Sequence, residues 1–358
     1  MLRDGLRRWG AARDVRSCER QAEFWQFAAE QGWFMAGLPE SAGGLGGNAF
    51  DSAIIAEELG RALVRAPFVE VAVVAAGLLH ALAPERLGGI IAGTARPILA
   101  HDEADAHGDP EWVRTIALRD GDGWRLTGRK TAIIGADHAD RFLVTAQVEG
   151  EGIALFELLA LGAPLRGYTT VDDRSGGELR LASTPATLLA GAGAARPALM
   201  AALDGALVLE SAEALGAMEH ALELTRDYLL TRKQYGQLIG DFQALRHRLA
   251  DMFIETEQAR SIMLCGLEAL TEASPGRRAA LAAAVKARVA QAGLFVGGNA
   301  IQLHGGIGVT DEYPVGHFYK RLVAYDQRHG GSARQVERYA ELMRDSLSRR
   351  EQGPDIGK

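Results

Sequence analysis

Residues 232–252 read RKQYGQLIGDFQALRHRLADM and lie at the junction of two helical patterns. A long helical pattern ends at Arg232, the chain breaks at Gly236 and Gly240, and a second helical pattern begins behind Asp241, which we expect to be its N-cap. The Arg-Lys pair can complement the negative end of a helix dipole. Beside a glycine turn and an aromatic ring, the same arginine can instead hold a phosphate group. The stretch alone leaves both interpretations open.

A second glycine turn follows further along the chain, where residues 301–308 read IQLHGGIG. Glycine after the last periodic residue is a common helix stop. Glycines also let an anion come within contact distance of backbone amides. If Arg232 binds a phosphate, this turn is the obvious second element of the same binding site.

Composition excludes several classes of function. The chain has 358 residues, of which 47% are hydrophobic and 24% charged, and a net charge of -7. An acidic chain carries no electrostatic footprint for nucleic acid or for an anionic membrane surface. No stretch approaches 18 uninterrupted apolar residues, and we expect a cytoplasmic protein. Cys18 and Cys265 lack the spacing of a zinc site or a redox pair, and we expect both to be buried thiols.

Three parts with different patterns follow one another along the chain: helical at 1–95, β-prone at 96–192, and helical again at 193–358. Asp-Gly-Asp-Gly at 120–123 predicts a β-hairpin. Long helical segments joined by short breaks suit an antiparallel bundle, and they cover 202–231, 241–271 and 277–303. The predicted fold class is α+β, with an N-terminal α-helical domain, a small middle β-barrel-like domain and a C-terminal four-helix bundle.

RKQYGQLIGDFQALRHRLADM together with QLHGGIGVTDEYPVGHFYKRL at 302–322 resembles the acyl-CoA dehydrogenase family. The helix text before Arg232 and the RGY at 166–168 are similar to the small subunits of two-component enzymes such as pimeloyl-CoA dehydrogenase and the steroid side-chain dehydrogenases. The resemblance implies FAD as cofactor and an acyl-CoA as substrate. It also implies a homodimer or an α2β2 heterotetramer with a larger subunit, and an electron-transfer flavoprotein or similar acceptor.

The resemblance assigns cofactor contacts to seven residues. It implies that Arg232 contacts the FAD pyrophosphate, that Tyr235 lies near the flavin or the adenine, and that Gln243 helps to hold the nucleotide half. Four more residues are implied to allow close approach of the ADP part at the boundary with a neighbouring subunit: Gln302, Gly305, Gly306 and Gly308.

The middle domain departs from the family pattern. Where relatives carry a Thr-Glu-Pro-Gly-type loop that touches flavin and thioester, this chain has ILAHDEADAHGD at 98–109. The strand GRKTAII puts Ala132 and Ile134 where relatives present Trp and Thr to the flavin. We therefore expect flavin contacts from the backbone amides of this strand, with weaker support from side chains.

The catalytic base is missing from both places where the family carries it. Desaturation requires a base for the α-proton, normally a buried glutamate. Counting along the two family patterns leads to His329 and to Ala206. His329 could be a replacement base, a helix-terminal histidine without a role, or part of a closed site. Asp326, Glu210 and Glu213 are weaker substitutes.

The leading hypothesis is a small subunit whose larger partner carries the base. A self-sufficient homomeric dehydrogenase that uses His329 or Asp326 is one alternative. A flavin-dependent monooxygenase of the same fold and a non-enzymatic assembly subunit are the others.

Overall fold

The computed structural model describes residues 19–351 and begins with a helical region. A π-helical turn, Glu70–Ala75, leads directly into the third of its four α-helices. These helices are α1 Glu19–Glu30, α2 Ala49–Arg61, α3 Ala76–Leu82 and α4 Leu87–Ile91.

The start of α2 is set by a capping box. The Asn48 side chain accepts a hydrogen bond from the Phe50 amide, while Asp51 accepts one from the Asn48 amide at 2.9 Å. Both orphan amides of the first turn are thereby satisfied. The glycine-rich stretch before Asn48 therefore ends where the helix begins.

The middle region is a closed β-sheet. Strand β4 pairs with β2, β2 with β3, β3 with β7, β7 with β5, and β5 returns to β4. The ring confirms the predicted barrel-like architecture. Strands β1 and β6 extend it by pairing with β4 and β7. The seven strands are β1 Pro97–Ala100, β2 Ile116–Asp120, β3 Gly123–Ile134, β4 Arg141–Val148, β5 Gly152–Leu159, β6 Leu165–Thr169 and β7 Ser175–Ala190.

The predicted hairpin at 120–123 is confirmed, because Asp120 and Gly123 face each other at the end of the β2–β3 pair. The short β-prone runs of this part include GELRLAS at 177–183, which predicts a strand shorter than β7, and none of these runs predicts β6. Strand β6 is mostly exposed and contains Arg166 and Gly167, so it lacks the apolar alternation that predicts a strand.

A helical bundle forms the rest of the described chain. A two-residue hairpin, β8 Lys233–Gln234 with β9 Gln237–Leu238, joins its first two long helices. The five helices are α5 Ala192–Thr231, α6 Gln243–Glu272, α7 Pro275–His304, α8 Val315–Gln327 and α9 Gly331–Glu351.

Helix α5 is the central element, and most of its residues from Leu199 to Met218 are buried. Helix α7 continues into the turn after it, and the segment Pro275–Val309 is long and apolar enough to cross a membrane. However, 61% of its most apolar window is buried inside the protein, as in the core helix of a bundle.

Two glycines let α2 and α5 cross in backbone contact. A Cβ added at Gly216 would lie 1.8 Å from the Glu57 carbonyl oxygen, and one added at Gly60 would lie 1.8 Å from that of Glu213. No side chain fits in either gap, so both positions need the residue without a Cβ.

Two local predictions are wrong. Asp241 is not the N-cap of α6, because it ends a 3-10 turn, Ile239–Asp241, and α6 begins after Phe242 without a side-chain cap. Cys265 is exposed rather than buried, because it lies on the outward face of α6. Cys18 lies outside the described residues.

Candidate active site

A cavity of about 630 Å³ lies where the barrel, helix α5 and the segment after α8 meet. The barrel contributes β1 and the loop after it, together with the end of β3. The bundle contributes one face of α5 and residues 323–330. This volume is typical of sites for small molecules and cofactors.

Both positions of the missing base line this cavity. Ala206 is on α5, and His329 is in the 3-10 turn Arg328–Gly330, where its φ is 56°. A histidine in this left-handed region is uncommon and often marks a functional site. Asp326 is not among the lining residues, because its carboxylate accepts hydrogen bonds from the Ser332 amide at 3.1 Å and from Gln327 at 3.0 Å.

Glu210, one turn along α5 from Ala206, occupies the deep end of the cavity. Arg328 lies 2.7 Å from its Oε1 and 2.9 Å from Oε1 of Glu70. His329 Nε2 lies 3.1 Å from the same Glu210 oxygen. One guanidinium therefore joins two carboxylates that come from the π-helical turn and from α5.

Burial and charge act against each other in this cluster. Burial opposes ionisation of Glu210, but Arg328 and His329 lower its pKa to about 2. Burial raises the pKa of Glu70 against the pull of Arg328. Behind them, the buried Lys286 of α7 donates to the Tyr325 carbonyl oxygen, and burial lowers its pKa to about 7.

A second buried cluster continues from the first. Arg174 lies 2.9 Å from Asp172 and 3.5 Å from Glu213, and Arg321 lies 2.7 Å from Asp172. Arg321 also pairs with Glu213 and donates to the Val64 carbonyl oxygen at 3.1 Å. These side chains join α8, α5, the loop after α2 and the β6–β7 connection.

The acidic loop after β1 is anchored by a buried lysine. Lys130 Nζ lies 2.8 Å from Oε1 of Glu103, and the same oxygen accepts hydrogen bonds from the Thr115 amide and hydroxyl. Burial lowers the pKa of Lys130 to about 8 despite this partner. The loop is therefore held by its own ion pair on one side of the cavity.

The strand expected to face the flavin bulges into the cavity between Lys130 and Ile133. Ala132 lies in this bulge with a φ of 52°, and it lines the cavity together with Ile134. The Thr131 amide donates to the Asp102 carbonyl oxygen at 2.8 Å. Tyr168 of β6 also lines the cavity. Flavin contacts from the backbone amides of this strand stay a prediction, and the Thr131 amide already has the Asp102 carbonyl oxygen as its partner.

The seven predicted cofactor residues lie elsewhere, and none of them lines the cavity. Arg232 is exposed at the end of α5 and forms no ion pair within residues 19–351. Tyr235 is at the tip of the β8–β9 hairpin with a φ of 53° and is 93% exposed. Gln243 is the exposed first residue of α6.

The glycine turn follows the end of α7. Gln302, Gly305 and Gly306 are exposed, and a Cβ added at either of these glycines would meet nothing within 4 Å. Gly308 differs, because it is buried and a Cβ added there would lie 2.9 Å from the Ile301 carbonyl oxygen. Space for a ligand thus lies above Gly305 and Gly306.

The residues present fit FAD in two separate places. The cavity suits a ring system, and the exposed guanidinium with the open glycine turn suits a pyrophosphate and its nucleotide. FAD supplies a hydride acceptor when it is bound. The two sets of residues are separate, so we do not expect one FAD molecule to occupy both places on the same chain.

The patterns missed most of the charged residues in the cavity. Glu70, Arg174 and Arg328 come from three distant parts of the sequence. No spacing in the sequence predicts that these residues lie together, and each one alone is typical of a charged side chain on the surface. Glu210 was weighed only as a weak substitute for the base, and its pairing with His329 had no signal in the sequence.

Comparisons with known proteins agree with this architecture. Residues 196–343 match the family described as acyl-CoA dehydrogenase, C-terminal domain, and residues 1–85 match its N-terminal domain. Acyl-CoA dehydrogenase FadE12 of Mycobacterium tuberculosis is 30% identical over 326 residues, which are 84% of this chain and 82% of the relative.

Two solved structures are similar over nearly the whole chain. A variant of the Tcur3481-Tcur3483 steroid ACAD has a TM-score of 0.86 at 29% identity, covering 97% of this chain and 98% of that one. The ChsE4-ChsE5 complex from Mycobacterium tuberculosis has a TM-score of 0.84 at 27% identity, covering 96% of this chain and 95% of that one.

Proposed function

Because this chain belongs to the acyl-CoA dehydrogenase family of FAD-dependent oxidoreductases, we propose that it is the small, base-lacking subunit of a heteromeric enzyme. The observation that carries the proposal is the pair Ala206 and His329, which line one cavity where the family needs a glutamate. The partner subunit then supplies the carboxylate that removes the α-proton of the acyl-CoA.

Glu210 is a poor replacement for that glutamate. A general base works best when its pKa lies near the operating pH, whereas that of Glu210 is lowered to about 2. Its Oε1 is held by both Arg328 and His329. A carboxylate that already pairs with a guanidinium and an imidazole is a weak acceptor for a proton bound to carbon.

The deep end of the cavity also suits an acyl chain poorly. An apolar chain placed against Glu70, Glu210 and Arg328 would remove the remaining water from three charged groups without replacing their hydrogen bonds. Burial of charges is tolerated here because they pair with one another. The cavity therefore supports a role other than desaturation at this chain's own site.

The proposed partner is a larger acyl-CoA dehydrogenase subunit in an α2β2 heterotetramer. The names Tcur3481-Tcur3483 and ChsE4-ChsE5 each join two proteins, which supports pairing of unlike chains. Arg232, Tyr235, Gln243 and the glycine turn are on the surface, as residues that serve a flavin across a subunit boundary need to be. A homodimer is the alternative assembly.

Two further features belong to the same proposal. Electrons leave the enzyme through an electron-transfer flavoprotein or a similar acceptor, as the family resemblance implies. The compartment is the cytoplasm, as composition and cysteine usage suggest. Neither feature changes which residues of this chain act.

A second candidate is a self-sufficient dehydrogenase that uses His329. The observation that favours it is the 3.1 Å contact between His329 Nε2 and Glu210, together with the left-handed backbone at His329. A carboxylate that holds one ring nitrogen orients the imidazole and fixes its tautomer. The other nitrogen would then be the base.

An anaerobic absorbance titration separates these candidates. The chain is purified alone, loaded with FAD and titrated with long-chain, dicarboxylyl and steroid acyl-CoA thioesters. With the chain alone, we expect the flavin to stay oxidised. When the larger subunit is added, we expect the flavin to be reduced. An Ala206→Glu variant tests the missing base directly, because it returns a carboxylate to the cavity.

Reduction by the wild-type chain alone would refute the proposal. If His329→Gln then abolished that reduction, the second candidate would replace it. Absence of FAD from both the isolated chain and its co-purified assembly would indicate a non-enzymatic assembly subunit.

A further inference from the structure

One cross-strand row connects β6 to the strand expected to face the flavin. Tyr168 of β6 pairs with Gly176 of β7, and Gly176 pairs with Ile134 of β3. The middle position of this row has no side chain. A large side chain at Tyr168 can therefore reach across β7 towards β3 on the same face of the sheet.

The Tyr168 ring uses this opening. A Cβ added at Gly176 would lie 2.4 Å from Cε2 of the ring and 2.6 Å from Cζ, so the ring lies directly over the glycine. Ala132, in the β3 bulge, lines the same cavity. The ring lines the cavity, and Tyr168 as a whole is 45% exposed.

We propose that Tyr168 supplies the flavin contacts that Ala132 and Ile134 lack. Those two positions, where relatives present an aromatic ring and a hydroxyl, carry only small or aliphatic groups here. Tyr168, on β6, brings both an aromatic ring and a hydroxyl to the wall of the cavity. This inference rests on the proposed role of FAD in this chain, and it places the ring system of the cofactor in this cavity.

The hydroxyl is available as a donor to the cofactor. A phenolic hydroxyl carries one hydrogen that it can donate, and Tyr168 is partly exposed in the cavity wall. Burial raises the pKa of Tyr168, so the phenol keeps that proton at neutral pH. The exposed part of the ring offers an apolar, polarisable surface on which an isoalloxazine can pack.

Flavin fluorescence and FAD titration test the inference on the full chain, alone and with its partner subunit. A phenol next to an excited flavin quenches its emission by electron transfer, whereas a phenyl group does not. We expect Tyr168→Phe to raise the emission of bound flavin several-fold. Tyr168→Ala, which also removes the packing surface, should weaken FAD binding about tenfold.

Gly176→Ala provides an independent perturbation that leaves the tyrosine in place. Its methyl group would displace the ring from the glycine, so we expect it to raise the emission of bound flavin as Tyr168→Phe does. Gly123→Ala is the matched control, because this strand glycine meets only the Asp120 carbonyl oxygen at 3.6 Å. Tyr339→Phe controls for loss of a hydroxyl on the distant helix α9.

Unchanged emission in Tyr168→Phe and in Gly176→Ala, with flavin still bound, would overturn the inference and leave the family assignment intact. Unchanged affinity in Tyr168→Ala would also count against it. If the wild-type protein held no flavin in either state, both the inference and the proposed role of FAD in this chain would fail.

Discussion

Replacing Arg328 tests whether the charges in the cavity hold the molecule together. Arg328→Met keeps the length of the side chain but removes the cation between Glu70 and Glu210, whose side chains are 10% and 2% exposed. Breaking a buried ion pair from one side typically costs about 3–5 kcal/mol. Two unit charges about 4 Å apart attract by about 4 kcal/mol at an effective dielectric constant of about 20, which is the same size.

The remaining partners reduce this cost. Glu210 keeps His329 at 3.1 Å and the field of Lys286, and Glu70 has a raised pKa that lets it bind a proton. We therefore expect a loss of about 3 kcal/mol near neutral pH. In urea this corresponds to a midpoint lowered by about 1 M or more, measured by circular dichroism.

The deficit of Arg328→Met should also depend on pH. In the wild type, the folded pKa of Glu210 is about 2, below its ordinary value of 4.5, so its contribution is present above that value and is lost as pH falls towards 2. The variant lacks the pairing of Glu210 with Arg328, so its stability falls less over the same pH interval. We expect the two unfolding midpoints to converge as pH falls from 5 to 3.

Arg334→Met is the matched control, since Arg334 on α9 pairs with the exposed Glu337 and Glu341. Exposed pairs contribute about 0–1 kcal/mol. If Arg328→Met cost no more than this control, the buried cluster would not stabilise the fold as argued.

Three further predictions concern other parts of the molecule. Gly216→Ala should lower stability by about 1–3 kcal/mol in a urea titration, because its methyl would meet the Glu57 carbonyl oxygen, whereas Gly193→Ala on the same helix meets nothing and should be neutral or slightly stabilising. Lys286→Met should flatten the pH dependence of stability between pH 7 and 10. The folded pKa of the wild-type lysine is about 7, below its ordinary 10.5, so the buried lysine lowers the stability at pH 7 and this loss fades as the pH rises to 10. An unchanged slope would contradict this. Arg232→Ala should weaken FAD binding by the assembled protein about tenfold or more, with Lys233→Ala as the neighbouring control, and equal affinities for both variants would argue against the pyrophosphate contact.

Sequence patterns predicted the turns and helix breaks that depend on residues close together in the chain. The break between α5 and α6 and the turn at 120–123 were predicted because glycine and charge lie at fixed offsets in these turns. The β8–β9 hairpin within the break was not predicted. Asp241 failed as a cap because the chain inserts a 3-10 turn before α6. Strand β6 was missed because its pairing with β7 does not depend on an apolar alternation of its own.

The candidate site was predictable only in part. Counting along family patterns led to Ala206 and His329, and the structure brings both to one cavity. The pairing of Arg328 with Glu70 could not be predicted, because it joins residues 258 positions apart in sequence. Tyr168 was noticed only as part of a resemblance, since the position of its ring over Gly176 depends on the pairing of β6 with β7.

The self-paired charges around Glu210 also bear on how such a chain can evolve. Because Arg328 holds Glu70 and Glu210 together within the protein, this cavity can keep its fold after the reactive glutamate of the family is lost. Selection on a subunit of this kind would then act on the outward-facing hairpin at Arg232 and Tyr235, while the catalytic positions drift. Loss of a catalytic residue would in this way become a tolerated step towards a division of labour between two chains.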